Sequence, residues 1–596
     1  MVLFAVRYYV NKKIIHTFGT EQLNDQNLIK TNTIMHYFKV FITLFLFSTF
    51  FDISAQTDSI EAISTDNNVL IDTATTAIQS VSNTPAGLDE RINNAFAPFA
   101  NAVESIVLYS LPIADTQIPL IVIILSLGGL FFSFYFGFPS IRKFGLALKV
   151  VQGKYDAIES KGAQEVHPEE TVFTVDGDIV RTIKDEHHHG EVSHFQALAT
   201  AVSGTVGLGN IAGVTIAISL GGPGATFWMI VSGLLGMTLK FVECTLGVQY
   251  RDLDKNGVVY GGPMYYLSKG LKEKGYTGLG KFLAAFFAVL CIGGSFGGGN
   301  AAQSNQAAAQ IASMFGMTGG NSGFIIGFGI AVLVGITIIG GIKRIATVTE
   351  KLVPLMAIIY VLACLIVIGS NISFVGTAIG QIFTEAFNPQ AGLGGLIGVL
   401  VIGFRRAAFS NEAGAGSASI AHSAVKTKYS ASEGLVSLLE PFIDTIVICT
   451  MTALVIIIFN GNGAFTYGNA AVTIDGQSYQ GATLTSLAFA KSISWFPKVL
   501  TIAIFLFAVS TMISWSYYGL QAWMYLFGKS KTMEITYKVL FLIFIIIGAS
   551  ANMSSVWGFS DAMILAMVFP NMIGLLFLFP VVKEQLARYE KAIKGQ

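Results

Sequence analysis

Charge is scarce in this 596-residue chain: Asp, Glu, Lys and Arg make up 12% of it, about half the roughly 25% of soluble domains. So few charges cannot cover a water-exposed surface. The 36 basic and 36 acidic residues cancel, which leaves no basic excess for binding nucleic acid. Cysteine is also rare. Cys244, Cys291, Cys364 and Cys449 sit in apolar runs at unrelated spacings, giving neither a disulfide framework nor a zinc pattern, and they read as small core residues. Histidine almost disappears after His194, where only His422 remains. The chain lacks a His-Glu-x-x-His string and any nucleotide-binding motif to power a pump. Its Gly-rich strings lie in apolar runs rather than after strands, which excludes a dinucleotide site by context. A membrane-embedded hydrolase stays only as a distant alternative.

What the chain does have is apolar length. Hydrophobic residues make up 53% of it, with 46 Phe and 63 Gly. Eleven stretches are long enough to cross a bilayer: 116–138, 195–219, 223–247, 280–314, 323–342, 350–370, 394–421, 434–459, 484–527, 534–550 and 556–582. Several exceed 25 residues, which implies tilt or a break. Ahead of them, Val40–Phe51 is apolar for only 12 residues, too short to span about 30 Å. With Lys39 before it and small residues after, the segment near 35–56 looks like a secretory signal. Residues 57–115, rich in Thr, Ser, Asn and Asp, read as a loosely ordered extracytoplasmic linker.

Lys and Arg set the orientation. They follow the first, third, fifth, seventh, ninth and last stretches, whereas 315–322, 371–393, 460–483 and 551–555 contain none. The bias alternates throughout and places the C-terminus in the cytoplasm. An odd number of crossings then puts the N-terminal segment outside, in agreement with the signal-like stretch. The divisions are an N-terminal extension (1–115), an extra helix (116–138), a cytoplasmic linker (139–193), two repeats (194–370 and 371–582) and a cytoplasmic tail (583–596).

The repeats rest on an internal echo. The second stretch contains Ser203-Gly204-Thr205-Val206-Gly207-Leu208-Gly209-Asn210-Ile211-Ala212-Gly213, and the seventh Phe409-Ser410-Asn411-Glu412-Ala413-Gly414-Ala415-Gly416-Ser417. Asn-x-Ala-Gly recurs in mid-membrane, in opposite directions. Five spans per unit with inverted orientation mark a transporter built from inverted repeats. Glycine costs about 1 kcal/mol in a helix interior relative to alanine, so such runs unwind readily. Unwound backbone is tolerated in a membrane only where it is enclosed by protein. Its free N–H groups attract a carboxylate, and its carbonyls suit a dehydrated monovalent cation. Close helix packing through small residues is the plainer alternative.

At these motifs the chain resembles the alanine or glycine:cation symporter family. The likeness includes Gly204–Val214, Gly221-Gly222-Pro223-Gly224-Ala225-Thr226-Phe227-Trp228-Met229, Gly261-Gly262-Pro263-Met264-Tyr265-Tyr266, Phe409–Ala418 and Glu440-Pro441-Phe442-Ile443-Asp444-Thr445, and covers roughly residues 110–590. It implies an all-α polytopic protein of 11 transmembrane helices, one extra helix plus a five-plus-five leucine-transporter-type core. It also implies import of a small neutral amino acid with Na⁺, or sometimes H⁺, across the cell inner membrane, with no organic cofactor and no enzymatic reaction. Three features depart from the family: the insertion at 157–189, the N-terminal 115 residues, and Ala407 where glycine is expected.

Substrate carboxylate binding is expected at the backbone of Leu208, Gly209 and Asn210. Gln303, resembling the family's glutamine, would accept from the substrate amine. Asn411 stands in the second break and Trp515 as a wall limiting substrate size. For the cation, Ser510, Thr511 and Ser514 share one broad side of a helix, and with carbonyls near Ser203 and Val206 they would form an uncharged oxygen cage. Hydroxyls bonded back to their own helix are the alternative. The intramembrane charges Arg406, Glu412 and Asp444 read as a structural network, Arg406 pairing with Asp444 or Glu412; a proton relay through Asp444 or Glu412 is the second reading. The string Glu186-His187-His188-His189-Gly190-Glu191 with His194 lacks the spacing of a metal site and reads as a solvated loop.

Overall fold

In lipid every backbone polar group needs an internal partner, which leaves helices or closed barrels. The chain takes the helical solution. The computed structural model describes residues 87–113, 116–161, 174–175, 178–179, 191–253, 258–387 and 392–595. The signal-like segment near 35–56 and His187, His188 and His189 lie outside the described residues.

Residues 88–107, expected to be loosely ordered, instead form helix α1 (Leu88–Val107). Its polar composition conceals one apolar face: Phe96 and Phe99 pack on Phe559 with ring centroids 5.5 and 5.6 Å apart. Asp89 accepts from the N–H groups of Gly323 and Phe324 at 2.9 and 3.0 Å. A hairpin, β1 (Ser110–Ile113) and β2 (Thr116–Pro119), leads into α2 (Leu120–Tyr135). Further on, α3 (Phe144–Val151) and α4 (Asp156–Lys161) precede the core.

The first half of the core begins with an interrupted helix, α5 (His194–Thr205) and α6 (Val214–Gly221), joined through a π-helical turn at Gly209–Gly213. The α5 start is fixed by a capping box, Ser193 with Gln196. Then come α7 (Gly224–Gln249), the short α8 (Pro263–Glu273), and α9 (Thr277–Phe296) continuing into α10 (Ala302–Phe315). The half closes with α11 (Ser322–Ile338) and α12 (Gly341–Ser370). After α13 (Ile372–Ala386), the second half opens with another interrupted helix, α14 (Gly392–Asn411) and α15 (Ala418–His422). It continues with α16 (Ser430–Ser437), a π-helical segment at Phe442–Cys449, and α17 (Thr450–Phe459). After α18 (Gly481–Ser492) it runs through α19 (Phe496–Phe527), α20 (Lys531–Ser550), α21 (Met553–Ala566) and α22 (Val568–Lys594).

Seven helical spans among the described residues are long and apolar enough to cross a membrane, and the pair His194–Thr205 and Gly209–Gly221, bent by 50°, makes an eighth. At 16 and 17 residues, α2 and α11 are shorter than the roughly 20 a straight crossing needs. The sequence stretch 484–527 is not one rod: α18 ends at Ser492 and only α19 is span-length. The polytopic helical class stands, and by length and composition seven or eight spans among the described residues qualify.

Helix packing carries the repeat relation. Counterparts meet across the two halves: α7 on α16, α9 on α19, and α11 on α20. The last helix of the first half, α12, packs on α5 and α19; its counterpart α21 packs on α14 and α9. Exchanging the halves reproduces the same set of neighbours. With five spans per half, as the sequence reading has it, the two copies run in opposite directions and the interrupted helices are antiparallel.

Candidate functional site

Each break leaves peptide groups without helical partners, and in both an asparagine completes them. Asn210 Oδ1 accepts from the Gly207 N–H at 2.9 Å. Asn411 Oδ1 accepts from the Ala413 N–H at 3.0 Å. The amide nitrogens then reach the same π-helical turn: Asn210 Nδ2 donates to Asp444 Oδ1 at 2.6 Å, and Asn411 Nδ2 to Thr445 Oγ1 at 2.9 Å. Ser410 Oγ donates to Asp444 Oδ2 at 3.0 Å and Thr445 Oγ1 to the same oxygen at 2.7 Å. One carboxylate on neighbouring helix turns therefore ties both interrupted helices together. All of these residues are buried.

The second break is also strained. Glu412 has φ +54°, followed by Gly414 at +86° and Gly416 at +85°. Left-handed backbone is natural for glycine but uncommon for glutamate, and such outliers persist only when surrounding contacts hold them. Here the Ser417 hydroxyl donates to Glu412 Oε2 at 2.5 Å and Trp515 Nε1 to Oε1 at 2.9 Å.

The expected substrate residues converge on this place. Gly209 lies against Phe409 and Ser410, with room for a Cβ only at 3.5 Å. Leu208 N–H donates to Gln303 Oε1 at 3.0 Å, and Gln303 Nε2 donates to the Gly298 carbonyl at 2.8 Å. The Asn210 N–H reaches the Gly207 carbonyl at 3.3 Å. Gln303 thus completes the first break from α10. Trp515 is fully buried, edge-on to Tyr518 at 5.3 Å and pressed against Gly299.

The cation candidates fall on the facing stretches of α5 and α19. Ser203 Oγ donates to the Ser510 carbonyl at 2.8 Å, and Thr511 Oγ1 donates back to the Ser203 carbonyl at 2.9 Å. Ser510 Oγ bonds back to Phe507 of its own helix, as the alternative anticipated. Ser514 Oγ is buried and has no hydrogen-bond partner among the described residues. Val206, also buried, leaves the helix with ψ 85°. The donor set is neutral oxygen, which suits a monovalent hard cation.

The charge network differs from the sequence expectation. Arg406 pairs with neither Asp444 nor Glu412. It pairs with Asp561, which also receives Arg405 Nε at 2.8 Å, and its guanidinium lies 5.4 Å from the Trp557 ring and 5.5 Å from the Phe409 ring. Arg405 reaches on to Glu104 of α1 at 3.5 Å. The physical reason is direction: both arginines precede the break by a turn or more, whereas Glu412 and Asp444 lie at its depth. Asp561 was findable, since two adjacent intramembrane arginines demand a carboxylate.

A second buried cluster realises the ion pairing expected of the intramembrane charges Lys240 and Glu440 and adds His422, Glu433, His194 and Glu159 to it. At the opposite end of the interrupted helices, Lys240 meets Glu440 at 3.0 Å, and His422 Nδ1 meets Glu433 Oε1 at 2.5 Å. Glu433 also bonds His194, whose other nitrogen meets Glu159 at 2.7 Å. His194, read from sequence as part of a solvated loop, is in fact buried, and Glu159 of the inserted segment is a buried hub for Thr427, Ser432 and Tyr589.

Antiparallel interrupted helices tied at mid-bundle, beside a neutral oxygen cluster, characterise multi-pass secondary carriers. Over residues 170–596 the chain matches the model of the sodium:alanine symporter family, and it belongs to that family. It is 42% identical over 414 residues to the sodium/alanine symporter AgcS of Methanococcus maripaludis, covering 69% of this chain and 87% of that protein. It is 35% identical to the probable sodium/glutamine symporter GlnT of Bacillus subtilis, covering 70% and 83%. Among solved structures, MhsT in complex with L-phenylalanine aligns with 15% identity and a TM-score of 0.42, over 66% of this chain and 99% of that one. The chain is a cation-coupled amino-acid carrier of the membrane and not an enzyme.

Proposed function

We propose that the protein imports alanine, glycine or a similar small neutral amino acid together with Na⁺ by alternating access. The observation that carries this reading is the shared anchorage of both helix breaks on Asp444 and Thr445. In it, the zwitterion's carboxylate meets the peptide groups of Leu208, Gly209 and Asn210, and Gln303 and Asn411 orient it. Trp515 closes the pocket against larger side chains. Discriminating one methylene is worth only about 1–3 kcal/mol, so the preference among small residues is modest. Na⁺ sits among Ser203, Val206, Ser510, Thr511 and Ser514. The names of two relatives, one for alanine and one for glutamine, both with sodium, support this range. The Lys/Arg asymmetry supports a cytoplasmic C-terminus, with the His194 end of α5 inside and the Arg405 end of α14 outside, in the cell inner membrane.

Purified protein in liposomes is expected to accumulate radiolabelled alanine only under an inward Na⁺ gradient. Accumulation that persists with both Na⁺ and proton gradients collapsed would refute coupled transport; accumulation driven by a proton gradient alone would favour H⁺ coupling through Asp444. Thr511→Val keeps side-chain shape but deletes one cage oxygen and its bond to Ser203. A hydrogen bond of about 1–1.5 kcal/mol corresponds to a Na⁺ requirement raised about tenfold, read from uptake against Na⁺ concentration. An unchanged Na⁺ curve would remove Thr511 from the ion site.

A further inference from the structure

The Lys240–Glu159 cluster is unused by the transport site, yet it sits where the interrupted helices must part. Two layers close that end. The backbone just ahead of α5 is clasped to the segment leaving α15: the N–H groups of Glu191 and Val192 reach the Ala424 carbonyl at 2.8 and 3.2 Å, and the Lys426 N–H reaches the Val192 carbonyl at 2.8 Å. Beneath this clasp lies the side-chain layer, in which Glu433 bridges His194 of α5 and His422 of α15. Separating α5 from α15 breaks both layers.

The hydrogen bonds of this layer do not close without a proton, because both ring nitrogens of His194 meet carboxylates, Nδ1 that of Glu433 and Nε2 that of Glu159 at 2.7 Å. Glu159, Glu433 and Glu440 face Lys240 and Arg251, whose guanidinium binds the Ser423, Val425 and Thr427 carbonyls and is lowered by burial to about 10. Among the described residues the other titratable neighbours are Tyr589 on Glu159, Asp156 near Tyr589, Arg588 over Tyr429, which packs on Tyr589, Glu191 at the clasp, Glu350 on Gln196, and Cys244, Glu243, Glu412 and Asp444 deeper in the bundle. A neutral His194 ring would leave one nitrogen lone pair facing a buried carboxylate, and burying an unpaired charge is costly. Geometry allows the charge to spread: His422 Nε2 and Glu440 Oε2, each without a hydrogen-bond partner among the described residues, face each other at 3.6 Å.

We infer that His194, Glu433 and His422 form a proton-binding site that is occupied when the proposed cytoplasmic end is closed and empties as that end opens. This rests on the transport reading above and its orientation. On opening, an imidazolium N–H bond breaks, the proton passes to cytoplasmic water and the ring is left neutral; reclosure takes a proton back from the same side. The proton belongs to the coupled group rather than to one ring. Opening that releases one proton is favoured up to about tenfold per unit of rising cytoplasmic pH, so internal acid holds the carrier shut.

The test is Na⁺-driven alanine uptake by the full-length chain in liposomes, external pH fixed and internal pH stepped from about 6 to 8, across the imidazole range. Wild-type initial rates are expected to rise about fivefold or more. His422→Gln and, separately, His194→Gln keep a polar side chain but cannot become cationic, and should transport with a flat internal-pH profile. A flat wild-type profile, or an unchanged slope in both variants, overturns the proton site while leaving the transport reading intact. Absence of Na⁺-driven uptake by the wild type at every pH overturns both.

Discussion

Replacing Asp444 with alanine is expected to lower Na⁺-driven uptake about 100-fold. The carboxylate accepts from Asn210, Ser410 and Thr445 at once, so its removal deletes three hydrogen bonds to one buried group and loosens both breaks, leaving Asn210 on the residue 444 carbonyl at 3.1 Å and Asn411 on Thr445 at 2.9 Å. Hydrogen bonds to a charged group are worth about 1.5–3 kcal/mol each, and an orphaned buried donor costs about as much. Relaxation recovers part of this loss, and a residual of about 3 kcal/mol corresponds to about two factors of ten in rate. Asp444→Asn retains one acceptor oxygen and should lose nearer tenfold. Initial rates normalised to protein in the membrane, with a thermal melt of the purified variants, provide the check. Uptake within twofold of wild type for the alanine variant would show that the two breaks do not depend on this anchor.

Gly207→Ala should be almost as damaging, for a different reason. A Cβ there would lie 2.5 Å from Thr511 Oγ1 and 2.9 Å from Gln303 Oε1. Both neighbours are committed, Thr511 to the Ser203 carbonyl and Gln303 to the Leu208 N–H. One methyl therefore pushes simultaneously on the proposed ion and substrate sites. Overpacking of this kind costs about 1–3 kcal/mol, hence a loss of up to about 100-fold, with Na⁺ and alanine requirements rising together. Gly329→Ala is the matched control. It sits in α11 with open space around its Cβ position, and alanine is the better helix former, so transport should be unchanged. Equal effects of the two substitutions would locate the damage in glycine content rather than at the break.

Much of the bundle was legible because its physics is local. Apolar length and the Lys/Arg alternation mark helical stretches, and the repeated Asn-x-Ala-Gly marks both breaks. The partner of those asparagines was harder to read. Asp444 and Glu440 are four residues apart, yet Asp444 serves Asn210 while Glu440 serves Lys240, and a π-helical segment beginning at Phe442 shifts the register between them. Spacing arguments built on 3.6 residues per turn do not anticipate such a turn. Helix α1 escaped notice because its apolar face is only a few residues wide within a Ser/Thr/Asn-rich stretch. Glu159 gave no signal, since a lone carboxylate in a charged linker becomes a buried hub only through the tertiary packing that surrounds it.

The two ends of the bundle are closed by different chemistry. Where α14 meets α21, the bond is guanidinium to carboxylate, Arg405 and Arg406 on Asp561; at the other end it is imidazole to carboxylate. Arginine keeps its charge at any acidity a cell encounters, whereas histidine gains or loses charge near neutrality. In the proposed orientation, souring the surroundings leaves the outer mouth's latch strength unaltered, while souring the interior tightens the inner one. Influx and efflux would then slow by unequal amounts under the same acid load, making the protein a rectifier whose preferred direction is set by which residue type bolts which door.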